Sequence, residues 1–374
     1  MNSINYFALI ACYASLFIFG LVEITRGAVY PTILNSFNIG AGVGSMFFVL
    51  SAVSGLITNF SAKYWLQKFG AAFGLKVGLF AYLFGVLCLG ISAQEIGGIF
   101  WHFLGAFVIG IGATGVGITI NIITAQATPI AFRGRALSGL HAMYALAALV
   151  APLWVSLGSS WKFQWHYYFL ILALGPLLIL IWMKFYFQFE DKGKGQELPP
   201  IPGNWKRYLP FGLLFGLYVA AETLTSTRLV FYLEQGRNLS PEMARDILTK
   251  YFLMFFLGRL SFVFINVREK NYFLLKTCLV ITLCAFVLGV YISPWSFVLM
   301  GLGMSAFFSL AMDWVSGRFS DENGPAISFI FLAIGISITV WHFCFGQVAQ
   351  NFGVGTSFQI IGILLFVCLS LIHI

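Results

Sequence analysis

The chain has 374 residues, of which 60% are hydrophobic and only 9% are charged. An ordinary soluble domain carries about 25% charged residues, so this chain has too few polar side chains to cover a soluble core. Its formal charge of +8 does not indicate nucleic-acid binding, because the basic residues are scattered singly between apolar stretches. The composition therefore argues against a soluble globular protein and predicts helices embedded in a lipid bilayer.

Charges and turn-forming residues divide the chain into about twelve apolar segments, each near the ~20 residues that a helix needs to cross the hydrocarbon. Helices are expected because an unpaired backbone N–H group in hydrocarbon costs several kcal/mol. The first segment does not resemble a cleaved signal peptide, since no Lys or Arg precedes it. The predicted helices are 6–30, 40–60, 70–91, 98–123, 136–158, 165–187, 208–233, 245–265, 271–292, 294–316, 325–348 and 354–373.

Basic residues concentrate in alternate loops between these predicted helices. The opposite loops contain little beyond Lys162, Arg237 and Arg245, and neighbouring acids offset the last two. Because Lys and Arg are retained on the cytoplasmic side of membrane proteins, this asymmetry predicts that both termini are cytoplasmic. We expect an integral protein of a bacterial inner membrane. The basic loops contain Lys63, Lys68, Lys76, Arg133, Arg135, Lys184, Lys192, Lys194, Lys206, Arg207, Arg268, Lys270, Lys276 and Arg318.

The longest polar stretch, residues 188–207, reads QFEDKGKGQELPPIPGNWKR. Its Gly, Pro and charged residues cannot bury apolar surface, which predicts a flexible cytoplasmic linker. This linker separates an N-terminal bundle at 1–187 from a C-terminal bundle at 208–374, with six predicted helices in each. The tripeptide Phe-Gly-Leu at 19–21 recurs at 215–217, and an acid and an arginine follow both copies. The two halves therefore indicate an internal duplication.

The loop after the second predicted helix ends in Phe69-Gly70 and is similar to a degraded basic motif of the major facilitator superfamily, without its usual Asp. The chain resembles this superfamily over its whole length. Residues 137–152 and 217–222 resemble the branch of fucose permeases and sodium-dependent glucose transporters. The resemblance implies an all-α polytopic membrane transporter, not an enzyme, with about twelve transmembrane helices in two six-helix bundles. At 117–121, where proton-coupled fucose carriers place a carboxylate, this chain has no acid.

Four charged residues inside the predicted helices are candidates for substrate binding or ion coupling. A charge at the bilayer centre costs at least ~2.5–3.5 kcal/mol, so such residues face the protein interior and find partners. Glu23 and Arg26 lie three residues apart on one helical face and can pair. Glu222 lies near the middle of the seventh predicted helix, and Arg228 lies about two turns further on. The resemblance implies that the first and seventh helices line a central cavity; the alternative is structural ion pairs.

Further candidates are uncharged or lie near helix ends. Asn121 offers hydrogen bonds either to a hydroxylated solute or to a neighbouring helix. His141 can carry a proton near neutral pH, with Tyr144 less than one turn away, although a packing role is the alternative. Asp313, near the end of the tenth predicted helix, is a candidate for a gate residue or a cavity carboxylate.

One motif match is spurious. Residues 110–115 match G-x-G-x-x-G, but they lie inside an apolar helix and no acid follows about twenty positions later. The sequence contains no Walker motif, and its six cysteines show no metal-ligand spacing. We therefore expect no cofactor and no metal, and any uphill transport must use an ion gradient.

Together these features predict a secondary transporter that imports a small polar, sugar-like solute by alternating access. Its expected partners are that solute, a coupling ion (H⁺ or Na⁺) and the lipid bilayer, without nucleic acid, and it is expected to act as a monomer. One alternative is an exporter of drugs or a metabolite by proton antiport, although the fifth helix has Gly139 and Pro152 without the full antiporter signature. A lipid-moving protein or a membrane receptor is a third alternative.

Overall fold

The computed structural model describes residues 4–93, 98–187, 189, 205–264, 271–319 and 323–372, and these residues form helices and turns without strands. The first part of the chain contains α1 (Tyr6–Ala28), α2 (Tyr30–Phe37), α3 (Ala41–Ile91), α4 (Gly98–Gln126), α5 (Ile130–Ser160), α6 (Trp165–Leu172) and α7 (Leu174–Tyr186). The second part contains α8 (Leu209–Phe231), a π-helical turn (Tyr232–Gly236), α9 (Pro241–Phe264), α10 (Asn271–Tyr291), α11 (Phe297–Arg318), α12 (Asn323–Phe352) and α13 (Val354–Leu371).

Ten helices within the described residues are long and apolar enough to cross a membrane. The helix α3 counts as one of them, but its 51 residues span about 77 Å, more than twice the ~30 Å hydrocarbon thickness. Gly70 interrupts α3 with a φ of 83°, a backbone conformation that favours glycine. The two sides of Gly70 correspond to the predicted helices 40–60 and 70–91. With α3 taken as two segments and α9 added, the described residues contain a helix for each of the twelve predicted segments.

Two predicted helices differ slightly from the structure beside a proline. The first, 6–30, ends at Ala28 and is followed by α2, which has Pro31 as its second residue. The sixth, 165–187, is divided at Ala173, and Pro176 is the third residue of α7. A proline lacks the N–H group that would donate to the carbonyl four residues earlier, so a helix bends or restarts where a proline enters.

The first compact unit comprises Met1–Asn38 and Met46–Leu198. In this unit α1 packs along α5 and α4. Gly20 permits the close approach, because a Cβ atom at this position would lie 2.8 Å from the Cβ of Ala147. The buried core includes Ala8, Ala11, Cys12, Leu75, Leu79, Val116, Ile120, Ile123, Leu140 and Met183.

The second compact unit comprises Ile39–Ser45 and Pro199–Ile374. In this unit α11 packs against α9 and α10, while α8 packs against α12 and α13. Most of the predicted linker 188–207 lies outside the described residues, so its cytoplasmic position stays a prediction.

Candidate functional site

Glu23 and Arg26 form the ion pair that their spacing predicts. Arg26 Nη1 lies 2.9 Å from Glu23 Oε2, and the side chains are 3% and 23% exposed, respectively. Arg26 Nη2 also donates to the carbonyl oxygen of Phe47 and to Ser51 Oγ, at 3.2 Å each. Two helices therefore hold the guanidinium: α1 through Glu23, and α3 through Phe47 and Ser51.

The ion pair is enclosed on a further side by an aromatic ring. The Arg26 guanidinium lies 4.8 Å from the ring centroid of Phe48, a cation–π contact worth roughly 0.5–2 kcal/mol. Ser51 Oγ lies 2.7 Å from the carbonyl oxygen of Ala106 on α4. The Arg26 side chain is thus connected to three helices, which restricts its rotamers.

Two tyrosines flank Phe19, one turn before Glu23 on α1. The buried Tyr82 of α3 donates its hydroxyl to the carbonyl oxygen of Phe19 at 3.3 Å, and it interacts electrostatically with Glu23. The ring of Tyr144 on α5 is half-buried and lies 6.0 Å from the ring of Phe19. The first unit therefore brings together Glu23, Arg26 and Tyr144 from the predicted set, and adds Tyr82.

His141 and Asn121 also lie in the first unit. His141 is exposed on α5, about one turn before Tyr144. Asn121 is half-buried on α4, and its Nδ2 donates to the carbonyl oxygen of Gly117 in the same helix at 2.7 Å. This bond engages one amide proton of Asn121 locally. The binding roles of His141 and Asn121 stay predictions.

Glu222 is the acid of the second unit. It is half-buried on α8, as are Val219 and Thr223, whereas the flanking Ala221 and Leu224 are fully buried. Residues three and four apart share a helical face, so Val219, Glu222 and Thr223 form one partly accessible face of α8. The Glu222 side chain is therefore partly accessible, while the neighbouring residues of α8 are buried.

The carboxyl group of Glu222 has two polar neighbours, Tyr218 and Arg259. It interacts electrostatically with Tyr218, one turn earlier on α8, and with the Arg259 guanidinium on α9. The Tyr218 hydroxyl donates to the carbonyl oxygen of Met304 at 2.8 Å, and Arg259 Nε donates to that of Ser305 at 3.2 Å. Because Met304 and Ser305 are adjacent on α11, this anchoring holds the hydroxyl and the guanidinium side by side.

Arg228 lies about two turns beyond Glu222 and is fully buried. Its Nη2 donates to Ser45 Oγ at 3.3 Å, and its guanidinium lies 5.4 Å from the ring centroid of Phe345 on α12. Within the second unit Arg228 therefore connects α8 to the first turn of α3 and to α12. This burial favours a structural role for Arg228 over direct contact with a solute.

Asp313 is exposed on α11, about one turn and a half before the helix ends at Arg318. Its predicted gate role stays a prediction. Among the described residues no group of three His, Cys, Asp or Glu side chains could hold a metal ion. The six cysteines are free thiols.

Three residues of these two groups are not among the candidates that the sequence predicts: Arg259, Tyr218 and Tyr82. Arg259 could have been found, because it lies inside the predicted helix 245–265 and the cost of an intramembrane charge applies to it as it does to Arg26. Tyrosines are common in apolar helices, so the sequence carries no signal that distinguishes Tyr218 and Tyr82. Only the contacts with Glu222 and Glu23 identify them.

A family model described as the Major Facilitator Superfamily matches residues 12–296. A relative from Saccharomyces cerevisiae, named Bypass of stop codon protein 6, is 22% identical over 361 residues, with 87% of this chain and 70% of the relative covered. That name does not state a transported solute.

Solved transporters share the fold at low sequence identity. The fucose:proton symporter of E. coli is 15% identical, with 98% of this chain and 97% of that chain covered and a TM-score of 0.65. A D-xylose-proton symporter is 12% identical, with 99% and 97% covered and a TM-score of 0.74. A peptide transporter solved with sulfate is 15% identical, with 98% and 93% covered and a TM-score of 0.73. Transporters named for different solutes therefore share this fold, with TM-scores from 0.65 to 0.74.

Proposed function

The chain belongs to the Major Facilitator Superfamily, and we propose that it is a secondary active transporter that moves a small polar, sugar-like solute by alternating access. A proton or sodium gradient would drive this transport. The observation that carries the proposal is the arrangement around Glu222, a partly accessible carboxyl group on a membrane helix beside Tyr218 and Arg259. A carboxyl group at membrane depth is costly, and such residues mark ion and proton pathways.

The proposed role of Glu222 follows from competition for its carboxylate. A proton or Na⁺ that reaches the partly accessible face of α8 can neutralise Glu222 in place of Arg259. Arg259 remains anchored to Ser305 while this happens, since its Nε bond does not involve the acid. Loading and release of the ion therefore change the charge balance between α8 and α9, which is what coupling to a conformational change requires.

The solute class rests on the neutral groups of the first unit. Tyr144 presents a half-buried ring near the Glu23–Arg26 pair, and sugars bind by hydrogen bonds and by contact with aromatic rings. The resemblance of 137–152 to the fucose-permease branch supports the same class, and the fucose and xylose symporters are consistent with it. The fold alone does not select a sugar, because a peptide transporter shares it.

The test is uptake into proteoliposomes that contain the purified protein. We expect a labelled sugar or sugar-like solute to accumulate when an inward proton or sodium gradient is imposed. Glu222→Gln keeps the shape of the side chain but cannot release a proton or balance a cation. This variant should retain solute exchange and lose accumulation, so that the concentrations inside and outside become equal. Glu234→Gln, the same change twelve residues later, is the matched control and should accumulate normally.

Two results would contradict this mechanism. Concentrative uptake by Glu222→Gln at the rate of the unmodified protein would remove Glu222 from ion coupling. Accumulation that requires ATP and ignores both gradients would exclude secondary transport. Solute efflux that is driven by an imposed inward proton gradient would instead support the alternative of a proton-antiport exporter.

The orientation of the chain is part of the same proposal. The distribution of basic residues favours cytoplasmic termini, with the loop near Lys192 cytoplasmic and the turn near Ser240 external. Single cysteines introduced at these two positions into a protein without native cysteines should differ in labelling by an impermeant maleimide in intact cells. Ser240 should react and position 192 should not; equal labelling would overturn the orientation. A bacterial inner membrane stays a prediction, and the relative named above is from yeast.

A further inference from the structure

The guanidinium of Arg259 is fixed on two sides and open on a third. Its Nε atom donates to the carbonyl oxygen of Ser305 at 3.2 Å, and the group lies 4.3 Å from the ring centroid of Phe255. Within the part of the chain that the structure describes, its two Nη groups make no hydrogen bond and no ion pair, and both reach accessible space. Two Nη groups in one plane form a rigid fork that matches the two oxygens of a carboxylate.

Glu222 balances the charge of Arg259 without occupying this fork. The two residues interact electrostatically, and both are half-buried. They do not form an ion pair with each other, unlike the acid–base pairs that the described residues contain elsewhere. A carboxylate from outside the protein can therefore bind the two Nη groups without first displacing a bonded acid.

The charges of these two residues link the solute to the coupling ion. With Glu222 ionised, the pair is neutral, and an anionic solute would add an uncompensated charge inside the membrane, which is costly. When a proton or Na⁺ neutralises Glu222, the guanidinium of Arg259 carries a net positive charge that attracts an anion. Binding of the ion therefore favours binding of an anionic solute, and by thermodynamic reciprocity the solute favours binding of the ion. A neutral solute would not gain from this change of charge.

We propose that the transported solute carries a carboxylate, and that the two Nη groups of Arg259 bind it through two parallel hydrogen bonds. A sugar acid combines this group with the hydroxyls of a sugar-like solute. A phosphate monoester is a poorer match, because its charge of about −1.5 to −2 at pH 7 exceeds what one guanidinium balances. The inference rests on the proposed function, since it takes the ion site at Glu222 from there, and it adds the chemical class of the solute.

The test is a ligand titration of the full-length protein in a neutral detergent, with the unfolding temperature as readout. The probes pair each hexose with its acids: glucose with glucuronate and gluconate, and galactose with galacturonate and galactonate. At least one acid should raise the unfolding temperature more than its neutral partner does. Arg259→Gln should bind that acid roughly tenfold to hundredfold more weakly, the range for lost hydrogen bonds of charged groups. Arg245→Gln, on the same helix, is the control and should keep the preference for the acid.

Two further variants separate binding from support of the fold. Arg259→Lys keeps the positive charge without the planar fork, so it should weaken acid binding less than Arg259→Gln does; this variant also serves if Arg259→Gln does not fold. Glu222→Gln leaves the guanidinium without an acid. It should bind the acid at least as tightly as the unmodified protein, and neither lower pH nor added Na⁺ should tighten binding further, whereas one of them should do so in the unmodified protein. A merely structural Arg259 would weaken hexose and acid equally when substituted.

The outcomes distinguish this inference from the proposed function. Gradient-driven accumulation of a neutral hexose, with no preference for any acid, would overturn the carboxylate site and leave secondary transport intact. Acid binding that Arg259→Gln weakens, without accumulation in any imposed gradient, would support the site and contradict the proposed function. An equal shift with sulfate or glucose 6-phosphate would overturn the assignment to a carboxylate. Equal weakening in Arg245→Gln would overturn it too, because the attraction would then be non-specific.

Discussion

The two compact units each hold an acid and an arginine, but they pair them differently. In the first unit Glu23 and Arg26 belong to the same helix and lie 2.9 Å apart. In the second unit Glu222 lies on α8 and Arg259 on α9, and Arg259 is separately bonded to the carbonyl oxygen of Ser305 on α11. A pair within one helix is preserved when that helix moves as a rigid body, whereas a pair between helices changes whenever the helices shift. The first pair is therefore suited to a fixed support and the second to a switch.

Burial supports the same distinction. Arg26 is 3% exposed and is connected to three helices, so the first pair is enclosed on most sides. Glu222 lies on the partly accessible face of α8 with Val219 and Thr223. Glu23 and Glu222 are both half-buried, so the difference lies in their arginines: Arg26 is 3% exposed, whereas Arg259 is half-buried.

The largest expected effect is the loss of Arg26. Arg26→Ala leaves the Glu23 carboxylate without its cation and leaves the carbonyl of Phe47 without a donor. Removal of one partner of a buried ion pair typically costs about 3–5 kcal/mol of unfolding free energy. The double variant Glu23→Gln/Arg26→Gln should cost less than Arg26→Ala alone, because no charge remains buried. Thermal unfolding of the detergent-purified proteins, followed by circular dichroism, measures which of the two variants has the lower unfolding temperature.

An exposed ion pair on the same chain is the control for Arg26. Lys250 Nζ lies 2.8 Å from Asp246 Oδ2, but the two side chains are 47% and 48% exposed. Solvent screening limits such a pair to about 0–1 kcal/mol, so Lys250→Ala should barely change the unfolding temperature. If Lys250→Ala and Arg26→Ala were equally destabilising, burial would not be what distinguishes the first pair.

A smaller effect on stability is expected for Arg259, with a larger effect on transport. Arg259→Gln removes the bond to Ser305 and the cation–π contact with Phe255, at 4.3 Å from the ring centroid. Hydrogen bonds of charged groups contribute about 1.5–3 kcal/mol, and the partly accessible Glu222 can be hydrated or protonated in compensation. We therefore expect a loss near the lower end of that range, together with loss of gradient-driven accumulation in proteoliposomes.

Arg245→Gln on the same helix is the matched control for Arg259. Arg245 lies 3.7 Å from Glu242 near the start of α9 and away from Glu222. Its substitution should leave ion coupling unchanged. Loss of accumulation in both variants would show that α9 tolerates no charge change. The pair of Glu222 and Arg259 could then not be distinguished as a switch.

The helices and the first pair could be predicted because their physical causes are local. A run of about 20 apolar residues must form a helix in hydrocarbon, whatever surrounds it. Glu23 and Arg26 pair because residues three apart meet on one turn. The end of α1 and the interruption at Ala173 lie just before Pro31 and Pro176, which are local signals in the sequence.

The partners of Glu222 could not be predicted in the same way. Arg259 lies on the following helix and Tyr218 is one of 15 tyrosines, so only the packing of α8, α9 and α11 selects them. The sequence by itself determined the membrane class, the helices and the contacts within one helical turn, because backbone hydrogen bonding and hydrophobic length act locally. The tertiary structure alone decided which charges meet across helices, because that choice depends on side-chain packing between segments far apart in the chain.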